Sequence, residues 1–242
     1  MDEAELAKEY WGATDKQGKS YRGKLPPMYA TSVARVIKSL NPTSVLEFGC
    51  NAGRNLELIR SKVSSQTKLK GIDINKYSIE SGKEMWGLDL ECVDETYFSN
   101  IEPNSYDVIF TVSVLDHIPE IGTVVKELYN ACSNYVLSVE PHIDSSDNYL
   151  KTFKDENRIP DHITTETPYS YTHDYKNIFS EAGFETVLDL PLPTYFGNLG
   201  LLYRLTLYKK NNDTNISSTY VYDKLQDEII FEIMLRLLRP NA

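Results

Sequence analysis

Ser44-Val-Leu-Glu-Phe-Gly-Cys-Asn-Ala-Gly-Arg-Asn-Leu-Glu-Leu58 passes from an apolar run through an acidic residue and a glycine-bearing turn into an amphipathic run. Val45, Leu46 and Phe48 suit a buried strand, and Leu56, Leu58 and Ile59 suit the packed face of a following helix. Between them, Gly49 and Gly53 let the backbone bend tightly and let a ligand approach where a Cβ would intrude. A helix start also presents backbone N–H groups without intrahelical partners, which favour a carboxylate or phosphate. Glu47 narrows that choice, because a carboxylate two residues before the first glycine repels a pyrophosphate and favours a cationic ligand. The dinucleotide fingerprint needs glycine at its first, third and sixth positions, and Asn51 and Arg54 occupy the last two. Nicotinamide and flavin cofactors are therefore poor fits to this loop.

The same alternation continues outward. Lys70–Ile74 reads as a second strand, with Asp73 near its end twenty positions beyond Gly53. An acidic side chain there can accept hydrogen bonds from ribose hydroxyls in doubly wound folds. Leu88–Val93 reads as a third strand that stops at Asp94-Glu95-Thr96, and Tyr106–Val112 as a fourth. Pro119 is placed to open the next helix, where its missing N–H is tolerated, and Val124, Val125, Leu128, Tyr129 and Cys132 repeat at helical spacing. Tyr135–Val139 supplies a fifth strand, and Glu185–Leu190 and Leu201–Tyr208 a closing pair. Strands separated by helical segments predict an α/β layered fold with ligands outside the carboxyl ends of the strands.

At 242 residues the chain fits one sizeable domain with a terminal extension. A formal charge of −10 argues against a large phosphate-backbone interface, so nucleic acid is not the expected partner. Cys50, Cys92 and Cys132 are widely spaced, form no paired metal signature and read as free thiols. The first nine residues carry no apolar signal core, and no stretch is long enough to span a bilayer. The expectation is a soluble, cytoplasmic protein with no membrane partner.

With Glu47, Gly49 and Gly53 in place, the chain resembles the class I S-adenosylmethionine-dependent methyltransferases of small-molecule type, whose first motif is an acidic residue followed by Gly-x-Gly-x-Gly after the first strand. Asn51 departs from the usual middle glycine, although asparagine tolerates a left-handed backbone better than most residues. The resemblance spans roughly Leu40 to Lys209. It implies a Rossmann-like, doubly wound, mostly parallel seven-stranded sheet with helices on both faces and an antiparallel last strand. It also implies S-adenosyl-L-methionine as cofactor. Glu47 would act near the methionine portion or order the loop, while Gly49, Cys50, Asn51 and Gly53 shape the backbone cradle. Asp73 would take the ribose hydroxyls, Asp94 the adenine amino group, and the backbone around Thr111 and Val112 the methionine ammonium, with Ile74 and Glu95 beside them in the cofactor site. Val112-Ser-Val-Leu-Asp-His-Ile-Pro119 is similar to the stretch after the fourth strand in many small-molecule methyltransferases. It lacks the Asn-Pro-Pro-aromatic signature of enzymes that methylate nucleic-acid bases.

The expected activity is methyl transfer to an oxygen or nitrogen of a small molecule, such as a sugar or secondary metabolite, with no metal required. A catalytically silent S-adenosylmethionine-binding regulatory module, or a protein methyltransferase, are the alternatives. An acceptor that must lose a proton benefits from a nearby base, and histidine suits neutral pH. His142 after the fifth strand is the first candidate and His117 after the fourth the second. Near the amino end, Tyr21 and Arg22 are candidates for the methionine end of the cofactor, ahead of an amphipathic segment with Val33, Val36, Ile37 and Leu40. The chain thus divides into an N-terminal helical cap (1–40), a methyltransferase core (41–210) with an acceptor-side insertion (141–175), and a linker with an amphipathic helix (211–242). That last helix either docks on its own core or joins a second copy of the chain in a homo-oligomer.

Overall fold

The apolar runs identified above form a seven-stranded sheet in the order β3-β2-β1-β4-β5-β7-β6. A computed structural model describes residues 3–13, 28–94, 97–142, 171, 173–192 and 202–211. The elements are α1 (Glu3–Ala13), α2 (Met28–Leu40), β1 (Ser44–Phe48), α3 (Arg54–Arg60), β2 (Lys68–Asp73), α4 (Lys76–Trp86), β3 (Asp89–Cys92) and β4 (Tyr106–Val112). They continue with α5 (Gly122–Ala131), β5 (Cys132–His142), α6 (Tyr175–Glu181), β6 (Phe184–Leu192) and β7 (Leu202–Lys210). Strands β1 to β5 pair in parallel, and β7 lies antiparallel to both β5 and β6. The implied mostly parallel sheet with an antiparallel last strand is therefore what forms.

Neighbouring residues of the central strands feed opposite faces. Val45, Val108 and Phe110 pack in one apolar layer with Val33, Val36 and Ile37 of α2, Leu56 and Ile59 of α3, and Ile79 of α4. Leu46, Ile109 and Val136 pack in the other with Val125 and Leu128 of α5 and Phe179 of α6. Burial on both faces explains why the strands read as near-continuous apolar runs rather than alternating ones. Val33, Val36 and Ile37 are fully buried, at 0 % exposure, and each contributes about 1.5–3 kcal/mol of burial. The segment expected as an amino-terminal cap thus contributes α2 directly to the core.

Strand β4 begins and ends where its sequence pattern predicts, while other boundaries differ. Helix α5 starts at Gly122 rather than Pro119. Ile118, ahead of the proline, is extended at φ −110° and ψ 119°, because the proline ring disfavours helical backbone in the residue before it. Cys132 continues the apolar face of α5 but is itself extended and opens β5, so this strand runs Cys132–His142 rather than Tyr135–Val139. Strand β2 starts earlier, at Lys68, and ends at Asp73, leaving Ile74 beyond it. Most of the 141–175 insertion and the chain beyond residue 211 lie outside the described residues.

Candidate active site

The turn after β1 is built by unusual backbone angles that its residues permit. Gly49 has φ +74°, and an added Cβ would run into the side chain of Val114. Its N–H and that of Cys50 both donate to the Ile72 carbonyl, at 2.8 and 2.9 Å, which ties the turn to the end of β2. Asn51 has φ 50°, a left-handed conformation, and its Oδ1 accepts from Ala52 N at 2.8 Å. The asparagine therefore supplies the backbone geometry of the missing glycine and adds a local hydrogen bond. Gly53, at φ +77°, leads into α3. Asn51→Val is expected to destabilise the protein by about 1–2 kcal/mol, whereas Asn51→Gly keeps the fold within about 1 kcal/mol; chemical denaturation of the two variants measures the difference.

Asp73 closes the other side of the turn. Its Oδ2 accepts from Asn51 N at 2.7 Å and its Oδ1 from Asn75 N at 2.8 Å. Burial raises its pKa against these backbone bonds. Asn75 then caps α4 by accepting from Ser78 N at 3.0 Å, and its Nδ2 donates to the Trp11 carbonyl at 2.9 Å. That contact attaches α1 to the strand ends.

A cavity of about 530 Å³ opens here, at the carboxyl ends of β1, β2 and β4. Gly49, Cys50, Asn51, Asp73, Ile74, Asp94, Val112 and His117 all line it. Glu47, Gly53 and Thr111 stand outside its lining. Glu47 is buried behind the turn, where its Oε1 accepts from Asn55 Nδ2 at 2.7 Å, an arrangement suited to ordering the loop. Burial pushes its carboxyl up to about 8, with the charge of Asp73 adding to the effect and the Asn55 bond opposing it. The Cys50 thiol is likewise raised by burial, then by the charges of Glu47 and Asp73, which makes it an unreactive wall.

His117 stacks on Trp11, with ring centroids 4.0 Å apart and a tilt of 32°, and its Nε2 lies 3.8 Å from Asp116 Oδ2. The His142 backbone ends β5 opposite Leu202, while its side chain lies outside the described residues. Tyr21, Arg22, Glu95 and His162 also lie outside them. His173 is held by the Ile118 carbonyl at 2.9 Å. Among the described residues, no group of three or more His, Cys, Asp or Glu side chains is arranged to hold a metal ion. No described helix is long and apolar enough to cross a membrane.

The sequence reading missed a second polar centre beside the cavity. Glu140, fully buried at 0 % exposure, accepts from Thr111 Oγ1 at 2.7 Å and from Val114 N at 3.1 Å. It fixes the turn after β4, in which Ser113 adopts φ 52°. Burial and the neighbouring Asp116 charge push the Glu140 carboxyl well above the usual carboxylate range. Its signal was present in the sequence: like Glu47 and Asp73, Glu140 is an acidic residue near the carboxyl end of an apolar strand run. Tyr203 of β7 reaches the same wall and stacks with Tyr29, at 6.4 Å and 15°. The next residue, Arg204, clamps Asp189 of β6 through Nε and Nη2 at 2.8 and 2.7 Å.

Residues 21–189 match the family described as methyltransferase domain. Ubiquinone biosynthesis O-methyltransferase of Neisseria meningitidis serogroup C is 26% identical over 98 residues, which are 38% of this chain and 39% of that protein. The chain thus aligns with well under half the length of this curated relative. The structure of magnesium protoporphyrin IX methyltransferase from Synechocystis PCC 6803 with bound SAH superposes with a TM-score of 0.62 at 14% identity, covering 86% of this chain and 99% of that one. The N-methyltransferase NodS from Bradyrhizobium japonicum WM9, in complex with S-adenosyl-L-homocysteine, gives a TM-score of 0.60 at 15% identity, with 87% and 100% covered. The strand order, the glycine-bearing turn and the family match over most of the sequence agree, and the chain belongs to the class I S-adenosylmethionine-dependent methyltransferase family.

Proposed function

We propose that the chain binds S-adenosylmethionine in the cavity at the strand ends and transfers its methyl group to an oxygen or nitrogen of a small molecule. The observation that carries this reading is the convergence of the Gly49–Asn51 turn, Asp73, Asp94 and Val112 on one cavity. The residues fit the group. A carboxylate offers about four lone-pair sites, and backbone N–H groups of Asn51, Asn75 and Ile74 bond to Asp73, which leaves an acceptor for a ribose hydroxyl. The absent Cβ at Gly49 lets the backbone approach closely, and Asp94 on the cavity wall suits an adenine amino group. The backbone at Val112 suits the methionine ammonium, while Thr111 contributes through its bond to Glu140.

When bound, S-adenosylmethionine supplies a methyl group activated by a sulfonium. The protein's task is then to align the acceptor and exclude water. Trp11, Tyr29, Phe48, Tyr97, Phe98 and Tyr203 give the cavity an aromatic wall suited to a small organic acceptor. The negative charge of the chain argues in the same direction, away from nucleic acid.

Calorimetric titration with S-adenosylmethionine and S-adenosylhomocysteine, followed by transfer of labelled methyl into a metabolite extract, tests the reading. Saturable binding and label in a small molecule are expected. Label only in protein or RNA would overturn the substrate class, and tight binding without transfer to any acceptor would point to a silent binding module.

A further inference from the structure

We propose that Glu140 is a positioning residue for the cofactor: it holds the turn after β4 so that the Ser113 carbonyl faces the cavity beside that of Val112, and the two seat the methionine ammonium. The inference rests on the cofactor-binding reading above. It starts from the end of β4, where two ladder donors are missing.

Val112 pairs with Val139 of β5, and Ser113 N donates to the Val139 carbonyl at 2.9 Å. In a parallel ladder the next bond on this side would reach the Ser113 carbonyl from the N–H of residue 141. That residue is a proline and has no N–H to give. On the other side Thr111 pairs with Phe48 of β1, and the same alternation aims the Val112 carbonyl at Cys50 N. Cys50 N bonds instead to the Ile72 carbonyl at 2.9 Å, because the left-handed Gly49 turns the chain toward β2. Val112 and Ser113 both line the cavity. Two neighbouring carbonyls thus stand at its wall with their ladder donors withdrawn, and such oxygens favour a group that carries several N–H donors and a positive charge.

An ammonium is held well only if both carbonyls are aimed at it, and Glu140 supplies the aim. Fully buried at 0 % exposure, it accepts from Val114 N at 3.1 Å and Asp116 N at 3.4 Å, with a further backbone bond from Leu115. Thr111 Oγ1 donates to its other oxygen at 2.7 Å. One carboxyl therefore draws the N–H groups of three successive residues toward the interior. A trans peptide is planar, with its C=O opposite its N–H, so the Val114 bond turns the Ser113 carbonyl away from Glu140. The left-handed backbone of Ser113, at φ 52°, is where the chain leaves the ladder to reach this arrangement.

The turn is also held from other sides. Val114 fills the space that a Cβ on Gly49 would need, and Leu115 is fully buried in the apolar layer with Ile109 and Val125. Replacing Glu140 then re-aims the Ser113 peptide without moving the turn bodily. Asp73 and Asp94 lie on the β2 and β3 side of the cavity, so contacts to the adenosine are expected to survive the change.

Calorimetry on the full chain compares S-adenosylhomocysteine with its desamino analogue, which lacks only the α-amino group. The wild-type protein is expected to prefer S-adenosylhomocysteine by about tenfold or more, as a hydrogen-bonded charge contributes. Glu140→Gln keeps the shape but leaves a single accepting oxygen, and should weaken S-adenosylhomocysteine about tenfold while the analogue stays within about threefold. Glu140→Asp keeps the acid but withdraws it from the turn by one methylene, and should lose the preference equally. Thr111→Val removes one donor to Glu140 and should show the same selective loss on a smaller scale, with Thr111→Ser restoring it. This second pair carries the test if a Glu140 variant does not melt cooperatively. Equal losses for both ligands would mean that Glu140 serves stability alone. A loss in the glutamine variant but not in the aspartate variant would mean that its charge acts and not its position. Either result overturns the proposal, as does a wild-type protein that binds the two ligands alike. Failure of the wild-type protein to bind S-adenosylmethionine or S-adenosylhomocysteine at all would instead overturn the cofactor reading, and the proposal with it.

Discussion

Asp73→Ala is expected to weaken S-adenosylmethionine binding by about one to two orders of magnitude. A hydrogen bond to a charged group contributes about 1.5–3 kcal/mol, and the carboxylate has room for a ribose hydroxyl beyond the backbone donors of Asn51, Asn75 and Ile74. The substitution also deprives Asn51 N and Asn75 N of their acceptor, so the glycine turn loses its tie to the amino end of α4. Asp73→Asn separates the two effects. Its shape is retained, but its amide nitrogen must face one of those backbone donors, and only its single oxygen still accepts. The asparagine variant should therefore bind better than the alanine variant and worse than the wild type. Calorimetry with S-adenosylhomocysteine, beside melting curves, measures both. An alanine variant within threefold of the wild-type affinity would remove Asp73 from the cofactor site.

The place of Asp73 at the cavity was legible in the sequence: it is an acid near the end of a short strand, twenty positions beyond Gly53. The alternation of strands and helices was legible for the same local reason, since burial on both faces writes apolar runs directly into β1, β4 and β5. Asn51 looked like a departure from the motif until its φ of 50° showed that it serves the left-handed position itself. The partners of the second polar centre were not legible, although Glu140 itself stands at a strand end as Asp73 does. Glu140 meets Thr111 and Val114 across the β4–β5 pairing, and Tyr203 reaches Ser113 from a strand ninety residues later. Such contacts depend on strand order and register, which periodicity in one segment does not contain. Pro119 failed as a helix start for a local reason that was available, the extended backbone it imposes on Ile118.

Glu47→Gln is expected to flatten the dependence of stability on pH and to stabilise the ligand-free protein in mild alkali by roughly 2–5 kcal/mol, at about 1.4 kcal/mol per pKa unit. Glu47 is 1 % exposed; one carboxyl oxygen meets Asn55, and the other is buried without a hydrogen-bond partner. Burial, reinforced by the charge of Asp73 and opposed by the Asn55 bond, raises its pKa from 4.5 to about 8. Between those values the folded protein keeps a proton that the unfolded chain has already released. Stability therefore falls as pH rises through this window: the favourable contribution of the protonated form is complete below the lower value and lost above the upper one. Glu140 and Asp73, also raised by burial, tilt the wild-type curve the same way. Asp189 acts at the other extreme, since Arg204 and Lys176 overcome its partial burial and hold it down to about 2, a contribution lost only in strong acid. Subtracting the wild-type curve from that of the glutamine variant cancels these common slopes and leaves the contribution of Glu47. Denaturant unfolding between pH 5 and pH 9 should show the two proteins diverging steadily toward alkali. Parallel curves over that range would mean that Glu47 is ionised throughout, and that the turn tolerates a full negative charge behind Gly49 without the protonation its burial demands.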